Sequence, residues 1–122
     1  MIYAIAILSA FFLFAAFLKI TGKPEKVFEI QMEMIESYGV SRGQFRLIGI
    51  VEGIGAVLVW FTGSVLGPIG AGMLSATSLG AIFFHLKFDT WKQGVPAMIT
   101  FVLSTFVWVS QGDKLLAFLG AG

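Results

Sequence analysis

The stretch Arg46-Leu-Ile-Gly-Ile-Val-Glu52-Gly-Ile-Gly-Ala-Val-Leu-Val-Trp60 decides how the rest of the chain is read. It is apolar enough to lie within a bilayer, yet it opens on an arginine and carries a carboxylate near its centre. A charge at bilayer depth is costly, so such residues face a bundle interior, pair with other polar groups and mark functional positions. The question of fold therefore becomes one of which segments surround Glu52.

Composition answers the first part. The chain has 122 residues, 57% hydrophobic and 12% charged, with a mean hydropathy of +0.92. Soluble domains carry about 25% charged residues, so half that share predicts a membrane protein that contacts lipid along its length. Thirteen phenylalanines and three tryptophans suit lipid-facing and interfacial positions. One crossing takes ~20 residues, so the length predicts four membrane helices with short connections and no separate catalytic domain. The net charge of +1 gives no basis for nucleic-acid binding. With no cysteine, disulfides, dithiol chemistry, iron–sulfur clusters and thiolate metal sites are excluded.

Working outward, Ser41-Arg-Gly-Gln44 fits a capping box and starts the central span; Thr62-Gly63-Ser64 ends it. Before it, Ile2 to Lys19 is a nearly continuous apolar run without a basic leader, and reads as a retained helix rather than a cleaved signal. Thr21-Gly22-Lys23-Pro24 breaks that helix. Val27, Ile30, Met34 and Tyr38 then recur at helical spacing, with Glu25, Glu29, Glu33 and Glu36 on another face. This predicts an amphipathic connector that lies on the membrane or caps the bundle, with a lid over an internal cavity as the sharper reading. After the central span, Gly67-Pro68 opens a third apolar helix, Asp89 to Gly94 forms a polar turn, and Pro96 opens a fourth. Beyond it, Leu115 to Leu119 is a short interfacial run. The expected all-α fold is a single domain over 1–122 with spans near 2–20, 42–62, 69–88 and 95–110, and an amphipathic helix over 24–38.

Small residues predict the packing seams. Gly49 and Gly53 form a GxxxG pair in the central span, and Gly72, Ala76 and Gly80 repeat every fourth residue in the third. Seven of the eight basic residues flank the first and third connections. The positive-inside rule places those connections in the cytoplasm and both termini outside, in a bacterial inner membrane.

With helices alternating in direction, Lys19, Arg46 and His85 fall near one membrane face, and Glu52 lies ~15 Å along its helix from Arg42. Arg46, Gly49, Glu52 and Gly53 share a broad face, so Arg46 is the expected partner of Glu52, with Ser75 and Ser78 as alternatives. Two readings stay open. Glu52 either clamps helices together, or belongs to a ligand or proton site reached from the His85 side, with Trp91 bordering its mouth. One histidine and one usable carboxylate are too few for a metal.

Arg46-x-x-Gly49-x-x-Glu52-x-x-Gly55, followed by Gly80-Ala81-x-x-x-His85, resembles the DoxX-like group of small four-helix membrane proteins. The connector after the first span and Pro96 in the fourth agree with this. The resemblance carries that family's Arg, Glu and His pattern onto Arg46, Glu52 and His85, and implies a bundle with an internal polar site. Some members are associated with quinone-linked oxidation of sulfur compounds, others with membrane redox-stress complexes, and related animal proteins assist receptor assembly. It therefore implies a binding or accessory subunit for a lipophilic molecule, with a non-covalent quinone as first candidate and a membrane-associated redox enzyme or a second copy as partner. The competing expectation is a structural or assembly protein.

Overall fold

The computed structural model describes residues 1–88 and 90–120. Asp89, which opens the expected polar turn, and the last two residues of the tail lie outside the described residues. The elements are α1 (Ile2–Thr21), α2 (Glu25–Ser37), α3 (Arg42–Leu58), α4 (Leu66–Phe88), α5 (Val95–Ser110) and α6 (Gly112–Phe118). Contacts link α1 to α3, α3 to α4, α4 to α5 and α5 back to α1, so the four long helices close into a ring.

α1 and α4 are each long and apolar enough to cross a membrane, and α5 reaches that length only together with α6, across a bend of 51°. α3 has 17 residues, which at 1.5 Å per residue is somewhat short of a ~30 Å hydrocarbon core. Even so, Leu47, Ile50, Ile54 and Val57 form an exposed apolar stripe at helical spacing, the surface a lipid-facing helix needs. The molecule is a helical membrane bundle whose outer faces meet lipid and whose charges turn inward or to the ends.

Local chemistry explains the boundaries. Gly22, at φ 77°, ends α1 in the left-handed conformation and returns its N–H to the Leu18 carbonyl. The capping box at the start of α3 is formed: Ser41 Oγ accepts from Gln44 N–H at 3.1 Å, and Gln44 Oε1 accepts from Ser41 N–H at 2.9 Å. α3 ends four residues before the predicted limit, because Trp60 and Phe61 bond back to Val57 and Leu58 in a tight turn. α4 begins at Leu66 rather than Ile69, with Gly67 and Pro68 inside its first turn, where proline's missing N–H costs nothing.

The packed core sits in the half of the bundle remote from α2. Ile5, Leu8 and Phe12 of α1 meet Ala56 and Val59, Ala71 and Leu74 of α4, and Val107 of α5. Ser9 donates to the Ala56 carbonyl at 3.0 Å and accepts from Trp60 Nε1 at 2.8 Å, tying α1 to α3.

Glycines decide how closely the helices approach. A Cβ on Gly49 would lie 2.7 Å from the Lys19 Cβ, and one on Gly53 would lie 3.3 Å from the Ala16 Cβ, so the predicted pair does press α3 onto α1. The predicted seam on α4 is corrected. Gly72 faces Trp108 at 3.5 Å, Ala76 is exposed, and Gly80 has nothing within 4 Å. The seam lies one residue round the helix, on Gly67, Gly70, Ala71, Leu74 and Ser78, all buried. A Cβ on Gly70 would meet Val59 N at 2.7 Å and Gly55 O at 2.9 Å, a backbone-to-backbone contact.

Candidate functional site

The half of the bundle under α2 is open inside. A cavity of about 380 Å³ lies between α1, α3, α4 and α5, with α2 across its end. This is within the range of small-molecule sites, which run from about 300 to 1,000 Å³. Its walls are mainly apolar, from Phe11, Phe12, Phe45, Ile48, Ala81 and Phe84, and its polar groups are few.

Glu52 and His85 both line this cavity. Arg46 and Trp91 do not. Glu52 is 4% exposed and forms an ion pair with Lys19, so the expected Arg46 partner is corrected. The reason is angular. At 3.6 residues per turn, Arg46 stands about 100° round from Phe45, on the edge of a face centred on Phe45, Gly49, Glu52 and Ala56, and it is exposed. Lys19 continues the buried stripe Ile5, Leu8, Ser9, Phe12 and Ala16 by a further three residues. That spacing in the sequence could have found it; being near a helix end made it look like a residue reaching for headgroups. Its ammonium lies 5.5 Å from the Phe45 ring centre, on the inner side of the bundle. Gly49 makes the pair possible, since any side chain there would strike the Lys19 stem.

Other groups once available to Glu52 are engaged elsewhere. Ser75 is hydrogen-bonded to Thr105 at 2.9 Å, and Ser78 to Thr100 at 2.8 Å. These two clasps hold α4 to α5. Ser104 bonds within its own helix, to the Thr100 carbonyl at 2.6 Å. Arg42 caps α1, donating to the Lys19 and Ile20 carbonyls at 2.6 and 3.2 Å while lying 4.7 Å over the Phe28 ring.

α2 covers the cavity with its apolar face. Gln31, Met34, Ile35 and Tyr38 line it from above, and Ile35 is buried. Tyr38 fastens the C-terminal end of α2. Its ring stacks on Phe84 and Phe88 with centroids 5.6 and 5.4 Å apart, and its hydroxyl lies 3.1 Å from His85 Nδ1. The acidic residues of α2 point away from the cavity and are exposed. The connector thus lies across the end of the bundle as a roof over the cavity. Trp91 is exposed, with the Lys92 ammonium 6.0 Å from its ring, and the cavity wall there is built instead by Gln93, Pro96 and Ala97. Gly94 lets this turn approach closely, since a Cβ there would lie 3.2 Å from the His85 Cβ.

The arrangement can hold an apolar body between mainly apolar walls and offer it a few polar contacts at the roofed end: an ammonium held by a carboxylate, a phenol joined to an imidazole, and an amide. No curated protein and no solved structure matches the chain. A family model does, over residues 3–109, which takes in every helix of the ring and the roof, and the chain therefore belongs to the DoxX-like family.

Proposed function

We propose that this membrane protein binds a lipophilic small molecule in the roofed cavity, with a quinone as first candidate, and serves as a binding or accessory subunit in membrane redox metabolism. The supporting observation is one chamber of about 380 Å³ with apolar walls and its charged pair, Lys19 and Glu52, at its edge. Lys19 and the Tyr38–His85 pair would donate to a ligand carbonyl oxygen, and Glu52 would orient Lys19. Arg46, exposed on the outside, would meet lipid headgroups or a partner instead. We place the protein in a bacterial inner membrane with both termini outside, so that the roof faces the cytoplasm, where a redox enzyme could dock.

The test is purification into lipid nanodiscs, followed by mass spectrometry of extracted lipophilic molecules and a titration with a short-tailed ubiquinone. Saturable binding that is abolished by filling the chamber with Ala81→Trp is expected. Absence of both retained and added quinone would overturn the reading.

A structural role has its own support, because the Lys19–Glu52 pair bridges α1 and α3. On that reading the pair only holds the bundle, and the protein acts as an assembly factor or as a homo-oligomer. Loss of bundle stability in Lys19→Met, together with no quinone binding by the native protein, would favour it.

A further inference from the structure

Which way an occupant lies in this chamber can be read from two features of its lining. The first is Gln31. It lines the cavity from the roof, and its Oε1 is buried with no hydrogen-bond donor among the described residues. An acceptor buried in this way costs about 1–3 kcal/mol unless a donor reaches it. Glu52 with Lys19, Tyr38 with His85, Thr77 with the Leu74 carbonyl and Ser78 with Thr100 already have protein partners, and the remaining amide, Gln93, is exposed at the rim.

The second feature is where the wall opens. Of the lining residues, Phe11, Gln93 and Pro96 are also exposed on the outside. A side chain that lines a cavity and faces outward at once borders its mouth. Phe11 is on α1, ten residues before the roofed end at Thr21, which is ~15 Å of helix. Pro96 is in the first turn of α5. These residues put the mouth between α1 and α5, from Pro96 at the roofed end to Phe11 about 15 Å along α1 from that end. α1 and α5 meet in their other halves, where Ile5 and Leu8 share a cluster with Leu103 and Val107.

We infer that the occupant is a single-tailed amphiphile that enters sideways from the lipid between α1 and α5, its head donating an O–H or N–H to Gln31 Oε1 and its tail leaving past Phe11 and Pro96. This rests on the reading of the cavity as a ligand site, and sharpens it. A phenolic head, including the reduced quinol form of the proposed quinone, satisfies Gln31, whereas the oxidised quinone, which only accepts, leaves it without a donor.

The experiment uses an alkylphenol with a diazirine at the tip of its tail, and the matching methyl ether, each photolysed with the full-length protein in phosphatidylcholine vesicles. Saturable labelling should fall on the flanks of the mouth, around Phe11 and Ala15 and around Pro96 to Thr100. The phenol should label at a concentration at least about 5 times lower than the ether, the factor that the lower bound of about 1 kcal/mol for one unsatisfied acceptor sets. Gln31→Met should remove that difference, and the comparison of the two probes on the native chain stands even if that variant misfolds. Equal labelling by phenol and ether, or adducts on α3 or on the α2 roof, would overturn the orientation. If quinone binds in the nanodisc titration while neither photoprobe labels saturably, this inference falls and the cavity reading stands. If neither class of molecule binds, both fall.

Discussion

Replacing Lys19 by methionine removes the partner of a carboxylate that is 4% exposed and 33 residues distant in sequence. Two estimates of the cost differ enough to decide the role of the pair. If the contact were an ordinary interhelical hydrogen bond in a membrane protein, its loss would cost about 0.6 kcal/mol. If it is a buried ion pair, removing one partner strands a charge and costs about 3–5 kcal/mol. The burial of both side chains, 16% and 5% exposed, puts it in the second class. Lys19→Met and Glu52→Met should each destabilise by that amount, measured by sodium dodecyl sulfate titration in mixed micelles with circular dichroism. The double variant should come within about 1 kcal/mol of the native protein, since an apolar pair of similar volume can replace a buried ion pair at little cost. A coupling energy below about 0.5 kcal/mol, with the two losses simply adding, would refute the claim that these charges meet in the bilayer. The same double variant tests function. If it folds and binds quinone with unchanged affinity, Lys19 is no contact of the ligand head.

Three other outcomes follow from the geometry. Gly70→Ala, which drives a methyl into the Val59 and Gly55 backbones, should destabilise by about 1–3 kcal/mol in the same titration, whereas Gly80→Ala, in open space, should be neutral or stabilising by up to about 1 kcal/mol. Tyr38→Phe keeps the stacking on Phe84 and loses the bond to His85, so it should cost about 0.5–1.5 kcal/mol and speed amide exchange over α2. In this cysteine-free chain, single cysteines at Lys26 and Lys114 should react with an impermeant maleimide from opposite sides of the membrane, with position 26 cytoplasmic; a periplasmic position 26 would reverse the orientation.

What the sequence made legible, and what it did not, follows from how far local pattern reaches. The helices, the glycine breaks and the Ser41–Gln44 cap are written in short-range chemistry, and each is found within a few residues of its expected place. Glu52 could be placed toward the bundle interior because Phe45, Gly49, Glu52 and Ala56 keep spacings of three and four. His85 lines the same chamber, although the stripe expected on its helix is one residue off. The partner of Glu52 could not be placed, because at 100° per residue a one-residue error turns a side chain from the wall to the lipid. Arg46 sits one residue from the buried Phe45, and Gly72 one residue from the buried Ala71. Lys19 was visible as the last member of a buried stripe, but a lysine at a helix end also has an interfacial reading, and the choice depends on what faces it across the bundle.

The same distribution of small and polar residues explains why the chamber is where it is. Gly49 and Gly53 draw α3 onto α1, and Gly55 with Gly70 brings α3 against α4 until their backbones touch. α5 is held differently, to α4 by the Ser75–Thr105 and Ser78–Thr100 hydroxyl pairs, and it meets α1 through larger side chains in the half away from α2. The ring is therefore tight along two seams and loose along the fourth, between α1 and α5, at the roofed end. A structural bundle would gain from closing that gap, and one larger residue in place of Ala15 or Ala97 would go far toward doing so. Instead the chain leaves alanines on both flanks and covers the end with a separate amphipathic helix. Ala97→Leu should thus stabilise the protein while blocking the mouth, raising the unfolding midpoint as it lowers the rate of ligand entry. A destabilised variant with unchanged entry would mean that the gap is already packed as tightly as the rest of the ring.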